Sequence, residues 1–589
     1  MADKGPGGRL VARMLAAEGV DTVFGIIDGT YFGLYASLPD EGIELVSPRH
    51  ETSALHMAGA YARLTGRLGV AMASNGPGVA NALPGIAVEN GEGNRVLLLT
   101  SSRRTGIGNP DRGGTYQYFD QVGVTRAMTK WSGRAASAER VPEMLRRALR
   151  LSWRGRPGVV HLDVPEDVLN GETGLDGLVR PPSSYRRTTP VAPDPELVDR
   201  AAAMLSAARQ PLLHAGSGVH HAGGEAELAE LARVLEAPVT TSWAARGVLP
   251  ETLQNVVPMV AVDLVDRVRN DADVVLTIGS RLGETDWWGK APNWAPPERQ
   301  AHVQVDVDEE VLGLNKPVDL AVLGDARVTL AALLERVAAH QRDGLLPARR
   351  DALATYRAAF DRERGRLDRP LSGRGSPVHP AHVPSIAQEV LPDDTVWVFD
   401  GGNTAVWSNF FHQVRTPRSL LSTFKFGMLG AGMGQALGAQ VAAPDRVVCC
   451  ITGDGAFGMH PQEVETAVRH GLPVVWIVLV DRAWGMVKMS QQFAARPVKT
   501  VARKVLQNRT LDDDEIIYAD FAEIRFDDLA RSMGAHGERV DHPDQLAPAL
   551  RACLASGGPG VVHVDVDRVE HLWAPALRTF KKMHQEPAG

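Results

Sequence analysis

Short apolar segments alternate with helix-like segments along almost the whole chain. Residues 69–73, 95–100 and 159–164 are examples of the apolar segments. When a helix separates each strand from the next, the strands pair in parallel, because the helical crossover returns the chain to the same edge of the sheet. The pattern predicts an α/β fold built from doubly wound parallel sheets that carry helices on both faces.

Chain length and two polar breaks divide this pattern into three units. At roughly 150 residues per domain, 589 residues are too many for one core. The breaks lie at residues 180–183 and 372–377 and are rich in proline, glycine and serine. The predicted domains are residues 1–180, 190–345 and 375–568, followed by a tail at 569–589.

The first and third units end in nearly the same sequence. Residues 155–164 read GRPGVVHLDV, and residues 557–566 read GGPGVVHVDV. This internal similarity predicts two related domains on either side of a different middle one.

Composition excludes several functional classes. The net charge is −7 with both signs interspersed, so we expect no nucleic-acid partner. Cys449, Cys450 and Cys553 fit neither a disulfide framework nor a zinc site. No apolar run approaches the roughly 18–20 residues of a membrane span, and the first residues lack a signal core. We therefore expect a cytoplasmic enzyme without a membrane partner.

The segment from Gly453 to Asp481 is predicted to bind a metal and a phosphorylated ligand. The apolar residues 447–451 lead into Gly453-Asp454-Gly455, and a second apolar strand, 473–480, leads into Asp481. Both aspartates then lie at the carboxyl edge of a parallel sheet, where ligands bind. Carboxylates suit Mg²⁺, which usually keeps phosphate oxygens in its shell. The alternative is a strand-turn-helix unit with surface aspartates.

Glu51 opens an apparent amphipathic helix near the start of the chain. Taken alone, it would be a first-turn acid that the helix dipole stabilises. Its surroundings are more distinctive, because Arg-His-Glu at residues 49–51 is followed by Ala-Tyr-Ala-Arg at 60–63 and Gly-Pro-Gly at 76–78.

Together these motifs resemble thiamine diphosphate enzymes of the acetolactate synthase, 2-hydroxyacyl-CoA lyase and oxalyl-CoA decarboxylase superfamily. The resemblance runs from Val11 to Asp567. It implies pyrimidine-binding, central Rossmann-like and diphosphate-binding domains, with thiamine diphosphate and Mg²⁺ as cofactors. It also implies a homodimer as the minimal active unit, with the glutamate from one subunit and the metal site from the other; tetramers are common.

The resemblance also assigns site residues. Glu51 and Gln117 are the predicted catalytic residues, and the carboxylate of Glu51 is expected to bond N1′ of the cofactor pyrimidine. Asp481 stands where the family has asparagine. The predicted metal ligands are Asp454, Asp481 and Ala483. The predicted cofactor-binding residues are Gly402, Asn403, Thr404, Gly427, Leu429 (the apolar wedge beneath the cofactor), Gly453, Asp454, Gly455, Ala456, Asp481, Gly485 and Met486.

The central domain carries one further candidate site. Gly216 and Gly218 follow a predicted strand. They begin either a loop for a nucleotide, ADP or FAD, or an ordinary connection from strand to helix.

Substrate choice is predicted from segments outside the shared core. Ser490 and Thr285 occupy positions where an acetolactate synthase is expected to have tryptophan and arginine, although Trp287 and Trp288 lie near. Residues 488–520 and 569–589 look like additions, and a lid made of them would suit a long phosphorylated substrate such as an acyl-CoA. The alternative for these additions is a solvated helix or a disordered end. Their basic, aromatic and aliphatic candidate residues are Arg496, Lys499, Arg503, Lys504, Arg509, Trp573, Leu577, Arg578, Phe580, Lys581 and Lys582.

The leading hypothesis is a carbon-carbon lyase that cleaves a 2-hydroxyacyl-CoA to a ketone or aldehyde and formyl-CoA. One alternative is acetolactate synthase-like condensation, or decarboxylation, of 2-keto acids. An alternative of another class is a catalytically silent nucleotide-binding or regulatory paralogue.

Overall fold

Three parallel sheets organise the molecule, one in each predicted unit. The computed structural model describes residues 3–108, 111–347, 349–423, 425–509 and 517–576. Every strand pair in the three sheets is parallel, and only a small two-stranded sheet is antiparallel. Helices cover both faces of the large sheets, so the predicted α/β class is confirmed.

The first domain has a six-stranded parallel sheet and a separate two-stranded antiparallel sheet. Its strands are β1 (Lys4–Pro6), β2 (Thr22–Gly25), β3 (Glu44–Val46), β4 (Gly69–Ala73), β5 (Val96–Ser102), β6 (Trp131–Arg134), β7 (Val159–Pro165) and β8 (Glu172–Gly174). Its helices are α1 (Gly7–Ala17), α2 (Phe32–Tyr35), α3 (Glu51–Thr65), α4 (Pro77–Glu92), α5 (Thr105–Gly108), α6 (Gln121–Arg126), α7 (Val141–Trp153) and α8 (Glu166–Asn170). The sheet order is β3-β2-β4-β5-β7-β6, and β1 pairs with β8. Every residue of β4, β5 and β7 is buried, as expected for strands covered on both faces.

The central domain has five parallel strands in the order β10-β9-β11-β12-β13. The strands are β9 (Pro211–Ala215), β10 (Val239–Thr241), β11 (Val274–Ile278), β12 (Ala301–Asp306) and β13 (Leu320–Leu323). The helices are α9 (Pro195–Ala207), α10 (Gly218–Ala222), α11 (Glu225–Leu235), α12 (Val262–Asp271), α13 (Ala326–Arg342) and α14 (Arg350–Leu367). The last helix lies between the second and third predicted domains. Its Tyr356 and Phe360 pack into the core beside Trp294, so this stretch is more than a linker.

The third domain repeats the topology of the first. Its strands are β14 (Val396–Phe399), β15 (Leu420–Ser422), β16 (Val448–Gly453), β17 (Val475–Val480), β18 (His536–Val540) and β19 (Gly560–Asp565). Its helices are α15 (His382–Val390), α16 (Asn403–Phe411), α17 (Ala431–Ala442), α18 (Asp454–Phe457), α19 (Glu463–His470), α20 (Gly485–Ala495), α21 (Pro497–Gln507), α22 (Phe526–Ser532), α23 (Pro543–Ala555) and α24 (Arg568–Leu572). The order β15-β14-β16-β17-β19-β18 places β19 where β7 lies in the first sheet. These two strands carry the repeated sequence, so the predicted kinship of the two domains is confirmed.

Helices α3 and α17 join the first and third domains through a close backbone contact. A Cβ at Gly434 would lie 2.9 Å from the carbonyl oxygen of Ser53, and one at Gly438 would clash with the carbonyl oxygen of Met57. With no side chain at these positions the helices approach closely, and Met57 and Leu437 belong to one continuous buried cluster. The cores of the two domains are therefore fused.

Two further expectations from the sequence concern the cysteines and membrane-spanning helices. The three cysteines are free and buried, and burial raises their pKa values. In the described ranges, no helix combines the length and the apolar character that crossing a bilayer requires.

The helix contact predicts opposite effects for two glycine-to-alanine substitutions. Gly438→Ala should lower the free energy of unfolding by about 1–3 kcal/mol, because the added methyl group overpacks a rigid backbone contact. Gly365→Ala is the control: it lies in α14 with open space around its Cβ and should stabilise by up to about 1 kcal/mol through helix propensity. Urea denaturation measures both. Equal effects would contradict the close contact.

Candidate active site

Asp454 and Asp481 lie at the carboxyl ends of the neighbouring strands β16 and β17. Both side chains are buried, at 7% and 2% exposure. Burial, reinforced by the charge of Asp481, raises the pKa of Asp454 to about 7. Asp454 accepts the backbone N–H of Arg482 at 2.7 Å, and Asp481 accepts that of Ala483 at 3.2 Å. Two carboxylates held this close favour a cation between them.

Glycines keep the space around these carboxylates open. A Cβ at Gly485 would lie 2.8 Å from Asp481 Oδ2 and 3.0 Å from Asn403 Nδ2. A Cβ at Gly453 would lie 2.9 Å from the hydroxyl of Thr404, and Met486 lies directly above Gly402. The structure therefore brings three loops together. They supply nine of the predicted residues: Gly402, Asn403, Thr404, Gly453, Asp454, Gly455, Asp481, Gly485 and Met486.

Asn403 is one of the buried polar residues whose side chains lack a hydrogen-bond partner within the described part of the chain. Its side chain is 2% exposed, and neither its Oδ1 nor its Nδ2 has a hydrogen-bond partner among the described residues. A buried amide without partners is costly, so this side chain is suited to a polar ligand. Beside the two carboxylates, a diphosphate with its cation would meet that need.

The loop that carries Gly427 and Leu429 reaches this site through Asp400. Asp400 accepts the backbone N–H groups of Gly430 at 3.3 Å and Gly432 at 2.9 Å. Gly427 and Gly430 have φ values of +73° and +85°, which favour glycine. Ala456 lies next to this loop, because a Cβ at Gly430 would be 3.3 Å from its carbonyl oxygen.

Glu51 begins helix α3 in the first domain, as predicted. His50 caps the helix by accepting the N–H of Thr52 through Nδ1 at 3.2 Å. The Glu51 carboxylate is buried and accepts a hydrogen bond from Asn81 Nδ2 at 3.1 Å. In the described part of the chain it makes no hydrogen bond to the third domain.

Gln117 lies close to the Gly-Pro-Gly turn that also borders Glu51. It is exposed and has a φ of +51°, and its carbonyl accepts Asn75 Nδ2 at 3.0 Å. A Cβ at Gly76 would lie 2.5 Å from that carbonyl, and one at Gly78 would lie 3.3 Å from Glu51 Oε1. The turn thus brings the two predicted catalytic residues into one region.

Three residues with roles at these sites are not among the site residues that the sequence prediction assigns. They are His571, which contacts Asp481; Asp400, which holds the loop at Gly430; and Asn81, which contacts Glu51. Asn81 lies three residues beyond the Gly-Pro-Gly motif, so its place on the next helix could have been inferred. Asp400 ends the apolar run 396–399 before the Gly402–Thr404 turn, so its place at the sheet edge follows from the sequence. No sequence pattern indicates His571.

The predicted lid segments pair largely with this chain's own acids. Lys504 bonds Glu570, and Asp520 accepts Lys488 Nζ at 2.8 Å and Arg568 at 2.8 Å. The Phe493 and Trp573 rings meet edge to face at 5.6 Å. Residues 510–516 and 577–589 lie outside the described residues, and with them Leu577, Arg578, Phe580, Lys581 and Lys582 of the predicted lid.

A cavity of about 1230 Å³ lies between the first and central domains. Its wall includes Arg156, Arg281 and Lys425. Desolvation, reinforced by the charges of Arg281 and Arg156, lowers the pKa of Lys425 to about 8. Thr285 and Trp288 also line the cavity, whereas Ser490 is exposed on α20. The clustering of these three cations favours an anionic ligand at this part of the wall, while the rest of the lining also carries acids such as Asp306 and Asp308.

Gly216 and Gly218 serve the packing of the central sheet. A Cβ at Gly216 would clash with the backbone of Gly279, and one at Gly218 would lie 2.6 Å from the Cα of Gly279. Their glycine character is thus explained by the contact between two strand ends, without any nucleotide.

Comparison with known proteins decides the family. Models described as thiamine pyrophosphate enzyme domains match at residues 6–124 (N-terminal TPP binding domain), 198–333 (central domain) and 400–564 (C-terminal TPP binding domain). The chain belongs to the thiamine pyrophosphate enzyme family. The predicted superfamily and enzymatic nature are confirmed, and thiamine diphosphate is the cofactor that its two TPP binding domains indicate.

Named relatives of this thiamine pyrophosphate enzyme align with more than nine tenths of its chain. An acetolactate synthase of Mycobacterium bovis is 31% identical over 585 residues, covering 96% of this chain and 89% of the relative. Acetolactate synthase isozyme 3 large subunit of Escherichia coli is 28% identical, with 97% and 96% covered. Sulfoacetaldehyde acetyltransferase of Alcaligenes xylosoxydans xylosoxydans is 29% identical, with 91% and 88% covered.

The open space that Gly453 and Gly485 leave beside the two carboxylates, here called the glycine cradle, predicts the effect of one methyl group on cofactor binding. Gly485→Ala places a Cβ against Asp481 and Asn403, so thiamine diphosphate affinity should fall by more than about tenfold, the usual effect of disturbing a metal site's supporting groups. Gly558→Ala is the control, because it lies in the same domain with open space around its Cβ. Isothermal titration with the cofactor and Mg²⁺ measures both. Unchanged affinity in Gly485→Ala would contradict the assigned cradle.

Proposed function

We propose that this enzyme condenses 2-keto acids, as an acetolactate synthase does, using thiamine diphosphate and Mg²⁺. The observation that carries the proposal is the buried pair Asp454 and Asp481 beside the unpartnered amide of Asn403. The named acetolactate synthases support condensation better than the 2-hydroxyacyl-CoA lyase hypothesis. The pairing of Lys504 with Glu570 also removes one cation from the set expected to contact a CoA phosphate.

The metal ligands would come from two strand ends and one backbone group. Asp454 and Asp481 supply carboxylate oxygens, and Ala483 can supply only its carbonyl oxygen. Within the described residues no cluster of three histidine, cysteine, aspartate or glutamate side chains could hold a metal. Mg²⁺ would therefore complete its shell with diphosphate and water oxygens, as it usually does.

The remaining residues would bind and orient the cofactor. Thiamine diphosphate, when bound, supplies a carbon nucleophile and an electron sink for cleaving or forming a bond next to a carbonyl. Glu51 would hold a proton between its carboxylate and the pyrimidine N1′, and Asn81 would fix that carboxylate. Gly427 and Leu429 would hold the aminopyrimidine through their backbone, with the Leu429 side chain beneath the cofactor. Gln117 would approach the substrate from the Gly-Pro-Gly turn.

A homodimer would complete the site. The hydrogen bond of Glu51 stays within its own domain, and the loop with Gly427 is exposed. Apolar side chains are exposed on both parts, with Tyr116 at 73% in the first domain and Phe426 at 46% in the third. Association of two copies would cover these surfaces and supply a glutamate from one subunit to the metal site of the other.

The cavity between the first and central domains supports a second, separate proposal. We infer that it holds a nucleotide such as ADP or FAD, because Arg156, Arg281 and Lys425 would pair with phosphates in a space large enough for such a ligand. Purified protein should release a nucleotide on denaturation, as mass spectrometry would detect. Release of none after expression with flavin present would contradict this proposal.

Substrate identity can be tested by product analysis. Protein with thiamine diphosphate and Mg²⁺ should convert pyruvate to acetolactate. It should form little product from formyl-CoA plus a ketone. Mass spectrometry of both mixtures separates the hypotheses. A 2-hydroxyacyl-CoA product without any acetolactate would restore the lyase reading, and inactivity towards both would favour a silent paralogue.

Glu51→Gln separates catalysis from cofactor binding. Loss of the carboxylate should lower kcat by about 10²–10⁴-fold, the range for a general acid-base group. Cofactor affinity should stay within about threefold of the wild-type value. Glu44→Gln, at an exposed position on β3, is the matched control and should leave kcat unchanged. Full activity in Glu51→Gln would remove this residue from its proposed role.

A further inference from the structure

His571 connects two sides of the candidate cofactor site. It lies on α24, just beyond the last strand of the third sheet, and is 3% exposed. Its Nδ1 is 2.6 Å from Asp481 Oδ2, and its Nε2 is 3.1 Å from the hydroxyl of Thr404. Both ring nitrogens are therefore engaged, one on a strand end and the other on the loop that begins α16.

The chemistry of the partners fixes the direction of the first bond. A carboxylate only accepts hydrogen bonds, so Nδ1 carries the proton and donates it to Asp481 Oδ2. The threonine hydroxyl can donate or accept and suits Nε2 in either state. Asp481 Oδ1 accepts only the N–H of Ala483 within the described residues, which leaves this oxygen with lone-pair capacity for a cation.

The same helix also holds the backbone of Asp481. Arg568 Nε donates to the carbonyl oxygen of Asp481 at 2.7 Å, and the Trp407 indole N–H donates to the carbonyl oxygen of His571 at 3.0 Å. Helix α24 thus forms hydrogen bonds to both the side chain and the main chain of Asp481, and a further hydrogen bond from Trp407 joins α24 to α16. Turning the carboxylate would break its hydrogen bonds to His571 and to the N–H of Ala483.

We propose that His571 is a positioning residue for Asp481. Its hydrogen bond allows a charged aspartate to act as a metal ligand at the position where the family has an uncharged asparagine. A second carboxylate beside Asp454 and a diphosphate adds repulsion in a buried site. The hydrogen bond from His571 spreads the charge on Oδ2 and turns Oδ1 towards the cation. Outer partners of metal ligands commonly have this role. The inference rests on the proposed Mg²⁺ and thiamine diphosphate site.

A double-mutant cycle tests this role through cofactor binding. The variants are His571→Ala, Asp481→Asn and the two combined, with thiamine diphosphate affinity measured by isothermal titration in saturating Mg²⁺. His571→Ala should weaken binding about 10–100-fold, the range for losing an outer partner of a metal ligand. In the Asp481→Asn background the same substitution should change affinity by less than about threefold, since an amide brings no added charge to be spread.

His379→Ala is the matched control. His379 packs edge to face on the same Trp407 ring at 5.3 Å and lies 3.9 Å from Glu570 of α24, but it touches neither aspartate. It should bind the cofactor within twofold of wild type. Thermal unfolding of each variant without cofactor separates lost stability from lost binding.

Two outcomes would overturn the role of His571. One is affinity within twofold of wild type in His571→Ala; the other is an equal loss in both backgrounds, which would show a purely structural contribution. A third result, wild-type binding that is the same in EDTA as in Mg²⁺, would overturn the metal site itself and with it this role.

Discussion

The closeness of Asp454 and Asp481 is the constraint around which the third domain is arranged. Like charges repel strongly where water is excluded, yet parallel pairing of β16 and β17 places both strand ends at one edge. Burial and the neighbouring charge raise the pKa of Asp454 to about 7. A cation between the carboxylates, as in the proposed metal site, would offset this repulsion.

The surrounding residues serve that same need. Gly453 and Gly485 leave room where any side chain would fill the site. Asn403 presents a buried amide that has no partner among the residues the structure describes. Asp400 holds the loop that leads to Gly430. Each feature has a cost when the site is considered alone, and each becomes favourable with a diphosphate and its metal in place.

The acid chemistry proposed for Glu51 belongs to the first domain, whose core is fused with that of the third domain. Glycines on α17 let that helix approach α3 closely, and α3 begins at Glu51. The rigid contact therefore sets the position of the helix that carries the glutamate. Among the described residues this carboxylate bonds only within its own domain, which fits the proposal that a second copy of the chain provides the opposite half.

Much of this could be predicted from the sequence. The alternation of strands and helices, the start of α3 at Glu51 and the strand ends at Asp454 and Asp481 follow from hydrophobic pattern and glycine turns, which act locally. Contacts between distant segments could not be predicted. His571 meets Asp481 across 90 residues, and nothing local distinguishes it from other buried histidines. Gly216 and Gly218 illustrate the converse error, in which a local pattern predicts a site that the contacts do not require. Their spacing is typical of nucleotide loops, but close packing against the backbone of Gly279 explains both glycines.

The most direct test of the central claim is a crystal structure with thiamine diphosphate and Mn²⁺ in place of Mg²⁺, read by anomalous scattering. We expect one strong peak bonded to carboxylate oxygens of both Asp454 and Asp481 and to the carbonyl oxygen of Ala483, with diphosphate oxygens completing the shell. A cofactor bound with its metal elsewhere, or with Asp481 turned away from the metal, would contradict the proposed site.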